Sequence, residues 1–370
     1  MNLPADPTAW VLWGGLILGF VFGAVAARAN FCTMGALSDV VNIGHWGRLR
    51  MWLLAVAVAV IGAQGLQLAG LVDLTKTIYL RSTLPWLSLL LGGTLFGIGM
   101  TLAGGCVNKN LVRLGGGSVR SLVVLAFVAI AAYMTLKGLF GQWRASWLDP
   151  VTIDIAAFGL ADPGLPSLLG RLGGLAPRTS VLIASGAVSA LLLAFVFADS
   201  RFRRNAVQVL GAIALGLVVV AGWYLSGHIG HGESPETLET VYFATNTRTL
   251  ESLSFVAPAA YGLELLMLWT DKSLHLSFGI ATAIGVVAGS LSHALASRSF
   301  RWEGFASLAD LSKQLLGAVL MGFGGITAMG CTVGQGLSGL STLSLGSLVA
   351  VSGIVAGAVA TLKYIAWRDD

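Results

Sequence analysis

Long uncharged, apolar runs alternate with short polar connections along almost the whole chain. A helix needs about 20 consecutive apolar residues to cross a bilayer, and nine runs approach or exceed this length. The nine predicted transmembrane helices are residues 10–28, 50–72, 86–104, 118–137, 180–198, 206–226, 274–297, 311–329 and 345–366. The run 255–269 is shorter and contains Pro258 and Glu264, so it is predicted to be a half-helix.

Four segments are apolar or rich in small residues, are broken by glycine, and are too short to cross a membrane. They are residues 31–44, 105–117, 255–269 and 330–341. Irregular backbone at membrane depth is tolerated only where it is buried in protein or lines a cavity. We therefore predict four short re-entrant helices around a narrow path, two from each face. Their N-termini would present free N–H groups and positive dipole ends that suit an anion.

The second half of the chain repeats a pattern of the first half. Residues 91–106, LGGTLFGIGMTLAGGC, align with residues 316–331, LGAVLMGFGGITAMGC, with eight identities that include the final cysteine. The Gly-x-Gly spacing in both stretches predicts close helix packing. The same shift aligns 50–72 with 274–297, and an odd number of spans separates the aligned elements. The halves are therefore predicted to face opposite ways, as in transporters built from inverted repeats.

The predicted organisation is a single transmembrane domain covering residues 1–370. It contains a first repeat at 10–137, a second repeat at 206–366, and a connecting loop, an extra span and a basic inner loop at 138–205.

Composition supports the membrane class. Hydrophobic residues make up 56% of the chain and charged residues 11%, and the mean hydropathy is +0.82. A soluble globular chain is nearer one-quarter charged. No polar stretch is long enough to fold alone, so a separate soluble domain is excluded.

The net charge of +5 does not indicate a nucleic-acid partner. In a membrane protein the positions of Lys and Arg instead indicate how the chain is oriented in the bilayer. With the N-terminus outside, the predicted inner segments carry fourteen Lys and Arg residues and the outer segments carry eight. The positive-inside rule therefore predicts an outer N-terminus and a cytoplasmic C-terminus. The uncharged-to-acidic lead before the first run is not a signal peptide, and this run is predicted to be retained as a span.

The three cysteines each lie at a break between a predicted span and a short segment. They are Cys32, Cys106 and Cys331, and their spacing suggests neither a disulfide framework nor a zinc site. A lone cysteine in a span is usually a small buried hydrophobic residue. Here all three fall in the predicted pore, and two are repeat-related, which favours a function. A thiol is a weak S–H donor with a soft surface, so a row of neutral thiols suits a sulfur-containing anion.

Polar residues beside the cysteines are candidate substrate contacts. Asn30, Asn108, Gln335 and Thr332 supply amide and hydroxyl groups. Lys109 either attracts an anion at the inner mouth or only marks the cytoplasmic side.

Two carboxylates, Asp39 and Glu264, fall in predicted membrane segments at similar places in the two halves. Ionisable groups there are functional by default, so both are candidates for proton coupling, with placement at the membrane interface as the alternative. No hydrolase, nucleotide or redox-cofactor motif is found. His228 and His231 lack further ligands, and no cofactor, metal site or catalytic residue is predicted.

Three segments resemble signature segments of the YeeE/YedE family: ANFCTMGALSDVV, GGCVNKNLVRLGGG and GCTVGQGLSGLSTLSLGS. That family includes bacterial thiosulfate uptake proteins. The resemblance implies an hourglass-like helical fold of nine spans plus short helices. It also implies passage of thiosulfate across the inner membrane, handled in turn by Cys32, Cys106 and Cys331. A cytosolic sulfur-carrier protein of the TusA type is an expected partner.

Other functions stay open on the residues alone. Thiosulfate is the first candidate substrate of a transporter, and sulfite, sulfide or a selenium analogue is the alternative. A membrane sulfurtransferase would carry persulfide on its cysteines, but an enzyme of that kind needs an activated thiolate with a nearby base or cation. The three separated cysteines have no adjacent histidine, which favours a transporter over an enzyme. A purely structural membrane subunit is the remaining alternative.

Overall fold

The fold consists almost wholly of helices, because a chain in lipid must satisfy its backbone polar groups internally. The computed structural model describes residues 7–233, 240–305 and 307–369. The helices of the first half are α1 Pro7–Ala29, α2 Thr33–Ile43, α3 Gly47–Leu68, α4 Trp86–Leu102, α5 Val107–Gly115, α6 Val119–Lys137, α7 Leu139–Trp143 and α8 Leu165–Gly173. Those that follow are α9 Pro177–Phe197, α10 Ser200–Arg203, α11 Ala206–Tyr224, α12 Val256–Met267, α13 Phe278–Ala296, α14 Leu308–Thr327 and α15 Leu345–Asp369.

Two small antiparallel strand pairs lie in the connections. Strand β1 (Thr83–Leu84) pairs with β2 (Ile153–Asp154), and β3 (His231–Glu233) pairs with β4 (Thr240–Tyr242). Each pair ties together segments that lie on the predicted outer side.

Eight apolar stretches of the described chain are long enough to cross a membrane. They are Pro7–Ile43, Gly47–Leu68, Trp86–Gly115, Val119–Lys137, Pro177–Phe197, Ala206–Ile229, Phe278–Ala296 and Leu345–Arg368. They overlap eight of the nine predicted spans, which extend beyond them by up to four residues at an end. The ninth, 311–329, forms the 20-residue helix α14, whose first turns carry Asp310, Lys313 and Gln314 and are less apolar. The all-α polytopic class is confirmed, and the count of nine spans stays a prediction.

The four predicted short segments are all distinct from the long helices. Three of them form α2, α5 and α12, with 11, 9 and 12 residues, and the fourth contains the wide helical turn Gly334–Gly339. None reaches the length needed to cross a bilayer. The first residues of α2, α5 and α12 are buried within the protein, which satisfies the rule for broken helices in membranes. That these segments re-enter the membrane from opposite faces stays a prediction.

Helices α4 and α14 cross in direct backbone contact through glycines. A Cβ atom built on Gly99 would lie 2.6 Å from the Gly317 carbonyl oxygen, and one built on Gly324 would lie 2.6 Å from the Gly92 carbonyl oxygen. Only glycine has no side chain to obstruct such an approach. The close packing expected from the Gly-x-Gly spacing is present at this crossing.

The packing of the two halves follows one pattern with the partners exchanged. Gly97 of α4 faces the Ile354 carbonyl of α15, where a Cβ would approach to 2.2 Å. Gly322 of α14 faces the Val128 carbonyl of α6, where a Cβ would approach to 2.7 Å. Likewise α1 packs on α13 while α11 packs on α3, and α12 packs on α6 while α2 packs on α15.

We expect Gly97→Ala and Gly322→Ala each to lower the free energy of unfolding by about 1–3 kcal/mol, the usual cost of overpacking. Thermal unfolding in detergent checks this. Gly186→Ala in α9 is the matched control, because a Cβ there meets nothing within 4 Å. Its melting temperature should stay the same or rise, since alanine favours helix more than glycine does. Equal loss in all three variants would contradict the packing analysis.

Candidate functional site

The three cysteines share one local backbone geometry. Asn30, Gly104 and Met329 each end a long helix in the left-handed region, with φ of 51°, 68° and 55°, and each lies two residues before a cysteine. The following residue closes the helix end by donating its backbone N–H to a carbonyl five residues earlier. These bonds join Phe31 N to Ala26 O at 3.0 Å, Gly105 N to Met100 O at 2.8 Å, and Gly330 N to Gly325 O at 2.8 Å. Helix C-caps of this kind satisfy orphan carbonyls where the helix breaks.

Each cysteine then stands at the start of the next short helical segment. The Cys32 sulfur accepts from the Gly35 backbone N–H at 3.3 Å, and the Cys331 sulfur accepts from Gly334 N–H at 3.5 Å. The Cys106 thiol lies near the Lys109 backbone N–H without closing a cap hydrogen bond. All three are free thiols and buried, with exposed fractions of 7%, 1% and 0% for Cys32, Cys106 and Cys331.

Cys106 is in electrostatic range of both other cysteines. Its thiol is close enough to interact electrostatically with both Cys32 and Cys331, and the Thr332 side chain lies beside it. The fold therefore brings together three residues that are 74 and 225 positions apart in the chain. The predicted grouping of the thiols and of Thr332 is present.

Several buried polar atoms around the thiols have no hydrogen-bond partner among the described residues. The predicted site residues among them are Asn108, Thr332 and Gln335, through Oδ1, Oγ1 and Oε1 respectively. Each of these side chains is no more than 2% exposed. A buried polar atom without a partner costs about 1–3 kcal/mol, so such a group implies water or a polar guest.

Two further atoms of this kind, Trp52 Nε1 and Ser347 Oγ, were not predicted from the sequence. The Trp52 ring packs against Gly336 of the wide turn, and Ser347 Oγ and Gln335 Oε1 both lie against Gly339. An indole N–H is a hydrogen-bond donor and has no acceptor role. The position of Trp52 inside a predicted span was the sequence signal that could have marked it as a candidate site residue. For Ser347 the signal was its alignment with a serine of the first repeat.

Amide side chains hold the helix breaks in place. Gln335 Nε2 donates to the Ala328 carbonyl at 2.6 Å, which leaves its Oε1 directed elsewhere. Asn110 Nδ2 donates to the carbonyls of Gly105 and Cys106, both at 3.1 Å. Each amide thus bonds back to the helix break that precedes its own segment.

Cationic side chains lie on the predicted cytoplasmic side of the thiols. Lys109 Nζ donates to Asn30 Oδ1 at 2.8 Å, so two predicted site residues are in contact. Arg113 Nη1 donates to the Gly104 carbonyl at 2.9 Å. Arg48 makes two hydrogen bonds to Asp39 and lies near Cys32.

Both carboxylates predicted for proton coupling lie in ion pairs. Asp39 is bound by Arg48, and Glu264, which is 4% exposed, is bound by Lys137. Their role in proton coupling stays a prediction.

A cavity of about 420 Å³ opens on the predicted outer side. We call it the outer cavity, and its lining includes Tyr79, Arg81, Arg144, Glu251 and Gly330. Gly330 directly precedes Cys331, and Tyr79 lies near enough to Cys331 to interact with it. The outer cavity therefore reaches the residue that precedes Cys331, while Cys331 itself is not part of its lining.

This fold and this interior define an all-α, polytopic membrane protein with three buried thiols at helix breaks beneath a cavity. Comparison of the sequence with known families identifies the family of the chain. The chain belongs to the family described as sulphur transport, whose sequence profile matches residues 28–360. The resemblance to the YeeE/YedE family is thereby confirmed.

Two curated relatives match almost the whole chain. One is the thiosulfate transporter TsuA of Escherichia coli strain K12, which is 26% identical over 88% of this chain and 87% of its own length. The other is the thiosulfate transporter TsuA of Spirochaeta thermophila, which is 25% identical over 92% of this chain and 94% of its own length.

We expect Ser347→Ala to raise the free energy of unfolding by about 1 kcal/mol, because it removes a buried hydroxyl without a partner. Ser338→Ala is the matched control in the same region. Its hydroxyl is equally buried but donates to the Leu253 carbonyl at 2.7 Å, so its loss should lower stability by about 1–3 kcal/mol. Thermal unfolding of both variants in substrate-free detergent checks the signs. A Ser347→Ala variant that melts as low as Ser338→Ala would show that the hydroxyl has a partner.

Proposed function

We propose that the protein is an inner-membrane uptake transporter for a small sulfur-containing anion, with thiosulfate as the first choice. The observation that carries this proposal is the grouping of all three cysteines around Cys106 beside the outer cavity. Membership of the sulphur transport family and the names of two relatives support it. In this proposal Cys331, Cys106 and Cys32 contact the anion in turn.

The chemistry of the interior suits such an anion. Each thiol offers a weak S–H donor and a polarizable surface for the sulfur of the substrate. The starts of α2 and α5 and of the wide turn lie at the thiols, where backbone N–H groups and the positive end of the helix dipole favour negative charge. Trp52 Nε1 supplies a further donor that has no partner among the described residues, and the Thr332 hydroxyl lies beside Cys106.

The inner mouth is the contact between Lys109 and Asn30. An anion that leaves Cys32 meets the Lys109 ammonium, which exchanges its hydrogen bond to Asn30 for one to the anion. The bond to the anion joins two opposite charges, whereas the bond to Asn30 joins an ion to a neutral amide, so this exchange is favourable. The N-terminus lies outside and the C-terminus lies in the cytoplasm in this arrangement.

The inverted repeat belongs to the same proposal. The exchanged partners of α4 and α14 with α15 and α6, and of α1 and α11 with α13 and α3, support two halves related by rotation. In such transporters the substrate lies near the membrane midplane, at the repeat interface. Here that interface is the glycine crossing of α4 and α14, next to Cys106 and Cys331.

The driving force has to overcome the membrane potential, which opposes each negative charge by about 2.3 kcal/mol per 100 mV. Consumption of the anion inside, by a cytosolic sulfur carrier of the TusA type, removes product and favours further uptake. Transport of another sulfur or selenium compound is the alternative. A sulfurtransferase using persulfide is disfavoured, because the groups that interact with the Cys106 thiol are thiols, a hydroxyl, a backbone N–H and the Lys109 ammonium, and none of them is a histidine or carboxylate base.

We expect Cys106→Ala and Cys331→Ala each to lower uptake of radiolabelled thiosulfate about tenfold or more at equal membrane levels. A hydrogen bond to a charged group is worth about 1.5–3 kcal/mol, which corresponds to roughly 10- to 100-fold. The measurement uses cells without other importers, with sulfate, sulfite and selenite as competitors.

Ala184→Ser is the matched control, because Ala184 is as buried as Cys106 but belongs to α9, away from the thiols. Its uptake should match that of the unaltered chain. Full uptake by either cysteine variant would eliminate the thiol pathway, and selective inhibition by selenite alone would transfer the proposal to a selenium compound.

A further inference from the structure

The outer cavity contains a carboxylate whose role the thiol pathway does not explain. Glu251 lies in the connection before α12 and is part of the cavity lining. We propose that Glu251 is a proton-binding site linked to the anion, so that the outer cavity binds the anion best when Glu251 carries a proton. This inference rests on the proposed function, because it takes the outer cavity to be the place where the anion first binds.

The position of Glu251 is well defined. Its Oε1 accepts a hydrogen bond from the Thr247 backbone N–H at 3.0 Å and from Thr247 Oγ1 at 2.5 Å. The Ser226 hydroxyl donates to its backbone carbonyl. The side chain is thus held on the cavity wall and does not extend into bulk solvent.

Glu251 is half-buried and differs from the buried Glu264 in having no cation in contact. Within the described ranges, Glu251 forms no ion pair within 4 Å, whereas Glu264 is bound by Lys137 and Asp39 by Arg48. A carboxylate without a cation in contact, in a poorly solvated place, takes up a proton more readily than one in water. Burial accordingly raises the pKa of Glu251 above its ordinary value, although the hydrogen bonds from Thr247 oppose that change.

The charged and titratable groups around Glu251 leave its charge uncompensated. Across the outer cavity, Arg144 is bound to Asp149 at 3.1 Å, so its charge is largely neutralised. Arg81 is exposed and lines the same cavity. The other titratable groups in electrostatic range are Tyr79 and Tyr261, and Arg248 is the neighbour within its own connection.

Linkage between the proton and the anion follows from their shared space. An anion and a carboxylate within a cavity of about 420 Å³ repel each other, and water screens them weakly there. A proton on Glu251 removes that repulsion, so the proton strengthens anion binding, and the anion strengthens proton binding by the same factor. The step is one O–H bond formed on the carboxylate, with no redox change. Tyr79 is in electrostatic range of both Glu251 and Cys331.

The test is the KM for thiosulfate uptake, measured against outside pH from about 5.5 to 8 in vesicles with clamped potential. Thiosulfate remains a dianion over this range, so the substrate itself does not titrate. For the unaltered chain we expect KM to rise with pH, by up to about tenfold per unit above the pKa of the site, as for one linked proton. Glu251→Gln imitates the protonated form and keeps an acceptor oxygen for Thr247. Its KM should be low and nearly independent of pH, so that it binds better than the unaltered chain at pH 8.

Two further variants separate this role from a structural one. Asp73→Asn is the matched control, because Asp73 also accepts from a threonine, through Thr75 N and Oγ1, but is exposed and outside the cavity lining. It should retain the pH dependence of the unaltered chain. Glu251→Ala removes the acceptor for Thr247 as well as the charge.

The outcomes separate the two proposals. If Glu251→Gln keeps the pH dependence, or if Glu251→Ala alone changes KM, Glu251 only holds its connection and the linkage is refuted. If the unaltered chain takes up no thiosulfate while it is folded in the vesicles, the proposed function fails, and the linkage fails with it. If uptake proceeds with a KM that does not change with pH, only the linkage fails.

Discussion

A helix that breaks inside a membrane protein must find new partners for its backbone polar groups, and this requirement shapes the centre of the molecule. The chain meets it three times in the same way. A left-handed residue closes the long helix, one residue follows, and a cysteine begins the next segment. Amides of Asn110 and Gln335 bond back to the carbonyls that remain. The thiols are therefore positioned by the repair of the helix breaks, and the same geometry places backbone N–H groups beside them.

The segment that the predicted repeat pairs with the Cys32 segment departs from this pattern. Phe31 and Phe255 both pack edge-on against Phe22, with ring centroids 6.4 Å and 5.8 Å apart, so the two segments begin on a shared aromatic support. After Phe255, however, the chain continues with Val256 where the first half has Cys32. The approach to α12 therefore offers no thiol. The polar groups of that region belong to the outer cavity, where Glu251 and Arg81 lie.

Much of this architecture is predictable from residue patterns alone. Apolar runs of span length locate the long helices within a few residues, since burial in lipid leaves few other solutions. Glycine breaks and the recurring cysteine locate the short segments. The contacts across these segments are less accessible. No pattern near Trp52 or Ser347 indicates that their polar atoms lack partners, because that depends on how the wide turn Gly334–Gly339 packs. The ion pair of Glu264 with Lys137 joins residues 127 positions apart, and the outer cavity forms from four separate connections.

The glycine crossings also limit how the molecule can move. Backbone atoms touch along α1 and α13, where a Cβ on Gly19 or Gly23 would lie 2.1 Å from a carbonyl oxygen, and along α4 and α14. Sliding one half past the other by a single residue would drive side chains into these contacts. Large rocking or elevator motions of the two halves are therefore costly in this fold. Motion is instead concentrated in the short segments and in the Lys109 side chain, which are small enough to rearrange quickly. The close glycine contacts therefore favour rearrangement of the short segments over movement of one whole half against the other.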